Sequence, residues 1–219
     1  MASSLFIETQ TQAGLAFPQS LTEKYKPRSL ADFVGLEKQR KMLSKFAANP
    51  FPTGILLVGA PGTGKTSMAY AFARAIGAEV HHVGSQDCTV DRLRQISHMC
   101  QYVPLNGGWH VVICDEADLM SPAAQNFLLS KLDGTEPCPQ TIWVFTCNSA
   151  EVFEKRFLSR CEVKPPEFNS YGASSEIESL LARVWETEAP GEPTPNFKKL
   201  ASGNVREALS RLQSELLAV

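Results

Sequence analysis

Short, wholly apolar runs alternate along this chain with segments whose apolar residues recur at helical spacing. Ile55-Leu56-Leu57-Val58 lies between Gly54 and Gly59, Val111-Val112-Ile113-Cys114 ends at a pair of acids, and Thr141–Thr146 forms a third run. Runs of this length without polar alternation fit strands buried on both faces, as in a parallel sheet. Val80–Val83 is a weaker strand candidate. Leu36, Leu43 and Phe46 mark a helix over 36–48, which Asn49-Pro50-Phe51-Pro52 ends. An Ala-rich helix over Thr66–Gly77 follows, then one over 89–103 carried by Val90, Leu93, Ile96, Cys100 and Val103. Ser121 caps a helix that starts at Pro122, the favoured first helical position, and runs to about Leu132. Glu151–Leu158 reads as a short helix. Strands alternating with helices in this way predict an α/β fold, a parallel sheet sandwiched by helices.

The pattern changes at Pro165-Pro166. Beyond it no strand is predicted, only helical periodicity around 173–187, 196–202 and 204–217. The expected organisation is a flexible N-terminal arm over residues 1–20, an α/β core over 21–165 and a small helical lid over 166–219.

Composition narrows the class. The chain has 219 residues, 43% of them hydrophobic and 20% charged, which is ordinary for a folded globular protein. A net charge of -2 excludes a uniformly basic nucleic-acid-binding surface, so any DNA contact must be local. Six cysteines show no CxxC pair and several sit inside apolar runs, which points away from a disulfide framework and towards a reducing cytosol; the expected setting is cytoplasmic, or nucleoid or nuclear if the source is eukaryotic. No apolar run approaches the roughly 20 residues that cross a bilayer, so no membrane partner is expected. His81-His82 is too short a run for a metal site, and His98 and His110 stand alone in sequence.

The chemistry is concentrated after the apolar runs. Gly59-Ala60-Pro61-Gly62-Thr63-Gly64-Lys65-Thr66 is a complete P-loop pattern between a predicted strand and a predicted helix. Its glycines let backbone N–H groups turn towards phosphate oxygens, and the helix aims its positive end at them. Lys65 is expected to reach the β- and γ-phosphates of ATP, and the Thr66 hydroxyl to hold Mg²⁺. Ser67 follows in the same turn. Asp115-Glu116-Ala117-Asp118 ends the strand over 111–114, where parallel sheets bind ligands. Asp115 can ligate Mg²⁺, and Glu116 can take a proton from an attacking water.

With these residues in view, the chain resembles AAA+ ATPases, and specifically the small subunits of replication factor C and related sliding-clamp loaders, over roughly residues 21–217. Leu21-Thr22-Glu23-Lys24-Tyr25-Lys26-Pro27, Leu30 and Phe33-Val34-Gly35 are similar to that family's N-terminal signature, although its usual Trp is Leu21 here. The resemblance implies that Tyr25, Pro27, Val34 and Gly35 lie over the nucleotide base. Ala124-Gln125-Asn126 also matches the family. Asn148 falls at the sensor-1 position, and Ser159-Arg160-Cys161 matches the motif that supplies an arginine finger to the neighbouring subunit's ATP, with Arg156 as a competing candidate. Gly203-Asn204-Val205-Arg206-Glu207-Ala208-Leu209 resembles the sensor-2 motif, with Arg206 reaching from the lid to the γ-phosphate. Arg92 and Arg94 lie on the helix that touches DNA phosphates in clamp loaders.

Two departures qualify the resemblance. Where the family commonly has Asn-Ala-Ser-Asp, this chain reads Val83-Gly84-Ser85-Gln86-Asp87. Clamp loaders continue past the lid into a helical collar, and the sequence stops at Val219, so no collar domain is expected in it. The resemblance implies a homo- or hetero-oligomer with ATP at its interfaces, acting on DNA and on a sliding clamp. The alternatives are an AAA+ remodeller for helicase loading, transposition targeting or recombination, and an ATP-gated assembly scaffold with little turnover.

Overall fold

The computed structural model describes residues 19–104, 108–134, 138–169 and 173–218; most of the expected N-terminal arm lies outside them. Four parallel strands, β1 (Thr53–Val58), β2 (Glu79–Val83), β3 (His110–Cys114) and β4 (Thr141–Cys147), form one sheet in the order β1-β4-β3-β2. The first four helices are α1 (Leu21–Lys24), α2 (Glu37–Ala48), α3 (Lys65–Ala75) and α4 (Val90–Met99). They are followed by α5 (Pro122–Leu132), α6 (Lys155–Arg160), α7 (Ser174–Glu188), α8 (Phe197–Leu200) and α9 (Val205–Leu216).

The wholly apolar runs are explained by a sheet covered twice. Ile55, Leu57, Val111, Ile113, Ile142 and Val144 face a layer that contains Leu43 and Phe46 of α2 and Met68 and Phe72 of α3. Their alternates Leu56, Val112, Cys114, Trp143 and Phe145 face Leu93 and Ile96 of α4, Leu128 of α5 and Phe157 of α6. Successive strand residues point to opposite faces, so a strand buried on both must be apolar throughout. β2 is the exception: its residues 79–82 are half-buried or exposed, because it forms the sheet's edge. This explains the weaker pattern over 80–83.

Four elements differ from their predicted forms. The helix predicted over 151–158 begins later, at Lys155, because Phe153 is drawn into the core and stacks on Phe157 at 5.1 Å, which occupies the preceding residues in a turn. The helix predicted to 103 ends at Met99, and Val103 is 68% exposed. There the chain turns back towards β3, and the Tyr102 carbonyl is held by His110. α8 is shorter than the predicted 196–202. Finally, the chain beyond Pro165-Pro166 is not free of β structure: Phe168 bridges Gly59, as Val163 just before that boundary bridges Ile55, both in parallel sense, alongside β1. Phe168 N donates to Val58 O at 2.7 Å, and its buried ring belongs to the α2–α3 layer.

A third cluster joins Ile177, Leu181, Val184 and Trp185 of α7, Leu200 of α8 and Leu209 and Leu212 of α9. Leu21 is buried in it, which accounts for an apolar residue at that position. The backbone N of Leu21 donates to Gln213 Oε1 at 2.9 Å, and the Tyr25 hydroxyl donates to Glu188 Oε1 at 2.5 Å. The six cysteines are buried thiols. Among the described residues no helix is long and apolar enough to cross a membrane.

Candidate functional site

After β1 the chain passes to α3 on one face of the sheet; after β3 it passes to α5 on the other. Connections that diverge in this way open a crevice at the carboxyl ends of the strands. The phosphate-loop pattern and the acids at 115–118 both fall there. Gly59 packs its backbone against Phe168, and a Cβ at this position would come within 2.2 Å of the Phe168 carbonyl oxygen. Glycine at 59 is thus required by the close approach of the segment beyond α6.

Lys65 opens α3 and is only 8% exposed. Its ammonium donates to the carbonyls of Gly59 at 2.6 Å and Ala60 at 3.0 Å and to Asn148 Oδ1 at 3.2 Å. Burial pushes its pKa down, and the neighbouring charges of Asp118 and Asp115 oppose that shift. The next residue, Thr66, donates from Oγ1 to Asp115 Oδ1 at 2.7 Å. Sequence separation of 49 residues between these two is closed by the parallel placement of β1 and β3 around β4.

Thr146 was not singled out by sequence, and it completes this arrangement. Its hydroxyl donates to Asp115 Oδ1 at 2.5 Å and accepts from the Glu116 backbone N–H at 3.1 Å. Glu116 has φ 50° and ψ 47°, a left-handed conformation that a side-chain-bearing residue adopts at a cost of about 1–2 kcal/mol. The polar ending of an otherwise apolar strand was the only available signal for Thr146. Asn148 connects to the same group through its backbone N–H, which donates to Asp118 Oδ2 at 3.3 Å. Asp118 Oδ1 is buried and has no hydrogen-bond partner among the described residues.

Beside the loop lies a cavity of about 340 Å³, within the size range of ligand pockets. Tyr25, Pro27, Val34, Gly62, Thr63, Gly64, Ser67 and Arg206 all line it. Gly35, Gly59, Pro61, Lys65, Thr66, Asp115 and Glu116 do not. Gly35 instead meets the α7 cap, where a Cβ would sit 2.4 Å from Ala173 Cβ. Asn204 caps α9 by accepting from Glu207 N, and its Nδ2 lies 3.5 Å from the Pro61 carbonyl. It therefore links α9 to the phosphate loop, next to Arg206. The donor set fits Mg²⁺ and a polyphosphate: hard oxygens at Thr66 and Asp115, and a buried ammonium beside a loop that leads into a helix N-terminus.

Arg160 is not brought to this group. Its Nε donates to Asp133 Oδ2 at 3.1 Å and its Nη1 to the Arg156 carbonyl at 2.9 Å. The competing Arg156 is engaged by Glu154 and by Asn126 Oδ1. Gln125, noted in sequence only as a family match, accepts from Glu154 N at 3.2 Å while its Nε2 reaches the Met120 carbonyl at 3.4 Å. It thereby fixes where α6, and so Arg160, begins. Arg94 pairs with Asp91 at 3.0 Å and lies over the Phe127 ring, and Arg92 reaches Gln95 at 3.5 Å. Both arginines remain on an outer face of α4. His110 does not stand alone: its Nδ1 lies 3.0 Å from His81 Nε2.

Residues 55–165 match the model of the ATPase family associated with various cellular activities (AAA). The probable replication factor C subunit 2 of Dictyostelium discoideum is 31% identical over 207 residues, covering 88% of this chain and 59% of the relative. Replication factor C subunit 3 of Saccharomyces cerevisiae is 31% identical over 205 residues, covering 88% and 58%. The replication factor C small subunit of Methanocella arvoryzae is 27% identical, covering 88% and 62%. The chain thus spans about three fifths of the length of these curated relatives. Among solved structures, the Thermotoga maritima RuvB Holliday junction branch migration motor superposes with a TM-score of 0.71 at 20% identity, covering 86% of this chain and 64% of that one, a likeness of fold. The family match, over 55–165, spans Lys65, Asp115 and Asn148, and this chain belongs to the AAA family of ATPases.

Proposed function

We propose that this chain is an ATP-hydrolysing motor module of the clamp-loader type, which works in an oligomer with ATP at the subunit interfaces. The observation that carries the reading is a division among its polar residues. Lys65 bonds Asn148, and beside them Thr66, Asp115 and the Glu116 backbone are linked through Thr146 at the carboxyl ends of the strands, while Arg160 is held apart from both sets by Asp133. A guanidinium held apart from its own chain's phosphate loop suits a finger offered to a neighbour.

In this reading the cavity lined by Tyr25, Pro27 and Val34 takes the base and sugar, and Lys65 turns from the Gly59 and Ala60 carbonyls to the β- and γ-phosphates. Thr66 and Asp115 would hold Mg²⁺, which would supply charge neutralisation to the phosphates. Glu116 accepts the proton of the attacking water, and the Asn148 amide orients that water or the γ-phosphate. Arg206, on α9 at the cavity wall, reports phosphate occupancy to the lid. The resemblance to clamp loaders supports DNA and a ring-shaped clamp as partners, with Arg92 and Arg94 as local phosphate contacts.

A mixing experiment tests the shared site. Glu116→Gln should bind ATP and not turn it over, and Arg160→Ala should do the same for its neighbour. Combined, they form interfaces in which an intact Glu116 meets an intact Arg160, so activity should return. Mixed samples that oligomerise and yet stay inactive would refute the shared site.

A further inference from the structure

At the start of β3, about 16 Å of strand away from Asp115, three side chains of ligating type converge. His81 comes from the edge strand β2, His110 is the first residue of β3, and Cys100 caps the C-terminal end of α4. Their ligand atoms all lie within 4.8 Å of one another. His81 Nε2 and His110 Nδ1 are 3.0 Å apart. A fourth candidate, Glu79 Oε1, stands 3.9 Å from His81 Nε2, two residues along β2 and so on the same face.

The hydrogen bonds fix which nitrogens are available. His110 Nε2 lies 2.8 Å from the Tyr102 carbonyl, which can only accept, so Nε2 carries the proton and the Nδ1 lone pair faces His81. A ligating histidine whose outer N–H is held by a backbone carbonyl is the usual second layer of a metal site. His81 Nε2–H then occupies the position between the two rings that a cation would take.

We infer that His81, Cys100 and His110 form a zinc-binding site, with Glu79 as fourth ligand, in which the metal ties the edge strand to the end of α4. Two imidazole nitrogens each about 2.0–2.1 Å from a tetrahedral Zn²⁺ stand roughly 3.3 Å apart, so the observed pair needs to open by only a few tenths of an ångström. A nitrogen, sulfur and carboxylate set suits this borderline-soft cation better than Mg²⁺ or Ca²⁺. On binding, the His81 proton moves to its other ring nitrogen and Cys100 releases its thiol proton to solvent. Entry is open at the sheet edge, where the Glu79 side chain is 42% exposed and that of His81 12%. The site does not draw on the nucleotide reading and stands or falls separately from it.

The test is a titration of the chelator-treated full chain with Co²⁺, followed by competition with Zn²⁺. One equivalent of Co²⁺ should produce thiolate-to-cobalt absorption in the near ultraviolet together with the strong visible bands of a four-coordinate site, and Zn²⁺ should bleach both. Cys100→Ser should remove the thiolate band, Cys88→Ser should keep it, and His81→Gln should weaken binding by at least about tenfold. Zn²⁺ at about a hundred times its Kd should raise the wild-type Tm by roughly 5–10 °C, and leave that of Cys100→Ser unmoved. Co²⁺ at Thr66 and Asp115 would give no thiolate band. Absence of that band in the wild type, or its persistence in Cys100→Ser with native circular dichroism, overturns the proposal.

Discussion

Replacing Thr146 with valine probes the strand-end group without changing its shape. The threonine is 1% exposed, and its hydroxyl makes two hydrogen bonds, donating to Asp115 Oδ1 and accepting from the Glu116 N–H. Loss of the second leaves a backbone donor unpaired, which costs about 1–3 kcal/mol. Loss of the first costs less, about 1 kcal/mol, because Asp115 Oδ1 keeps its bond from Thr66. The added methyl group returns up to ~0.8 kcal/mol of burial. The net expectation for Thr146→Val is a destabilisation of about 1–3 kcal/mol. In a chain of this length that lowers Tm by roughly 2–12 °C, measured by differential scanning calorimetry. Thr146→Ser keeps both bonds and should recover most of the loss. Because the Glu116 N–H is one tie on a left-handed backbone, Thr146→Val should also lower ATP turnover more than nucleotide affinity. A valine variant within about 0.5 kcal/mol of wild type, with unchanged turnover, would refute the assigned role of this hydroxyl.

Two further outcomes follow from contacts between the N-terminal segment and the third cluster. Gly35→Ala should destabilise by about 1–3 kcal/mol, since φ is +70° and the new Cβ meets Ala173; adding Ala173→Gly should relieve the clash and leave the backbone cost, which thermal unfolding of the pair of variants will show. Glu188 is held below its ordinary pKa of 4.5 by hydrogen bonds from Lys24 and Tyr25, so its stabilising effect is present above that value and is lost as pH falls through the lowered one. The Tm difference between wild type and Glu188→Gln should accordingly hold from neutral pH down to the ordinary glutamate range and then close; a difference independent of pH would exclude the ionic contact as its source.

The sheet was legible because burial on both faces imposes an unambiguous pattern, as Ile55–Val58 and Val111–Cys114 show. β2 was less so, since an edge strand shares the pattern of an exposed segment. The phosphate-loop residues were legible because a cradle of backbone donors demands glycines at fixed spacing. Thr146, Gln125 and Asn204 were not, since each matters through a partner remote in sequence: Asp115, Glu154 and Pro61. The His81–His110 pair was missed for the same reason. Their 29-residue separation carries no spacing signal, and only the parallel register of β2 with β3 makes them neighbours. The delayed start of α6 follows from Phe153, whose burial outweighs the local helical pattern.

The walls of the cavity come from segments that belong to different packing units. Gly62, Thr63, Gly64 and Ser67 belong to the loop after β1 and to α3, while Leu180, Val205, Arg206 and Leu209 belong to the α7–α9 unit. Between them, Tyr25 and Val34 pack against the α7–α9 cluster, whereas Leu30, Phe33 and Leu36 pack against α2 and α3. The N-terminal segment is therefore anchored at both ends of the cavity, at Leu21–Gln213 and Tyr25–Glu188 on one side and through Phe33 on the other. Arg206 shares α9 with Gln213, which accepts from Leu21 N, while Glu188 of α7 accepts from Tyr25, so the contacts that hold the N-terminal segment come from the same helices that wall the cavity. Gly35 meets the start of α7 at Ala173.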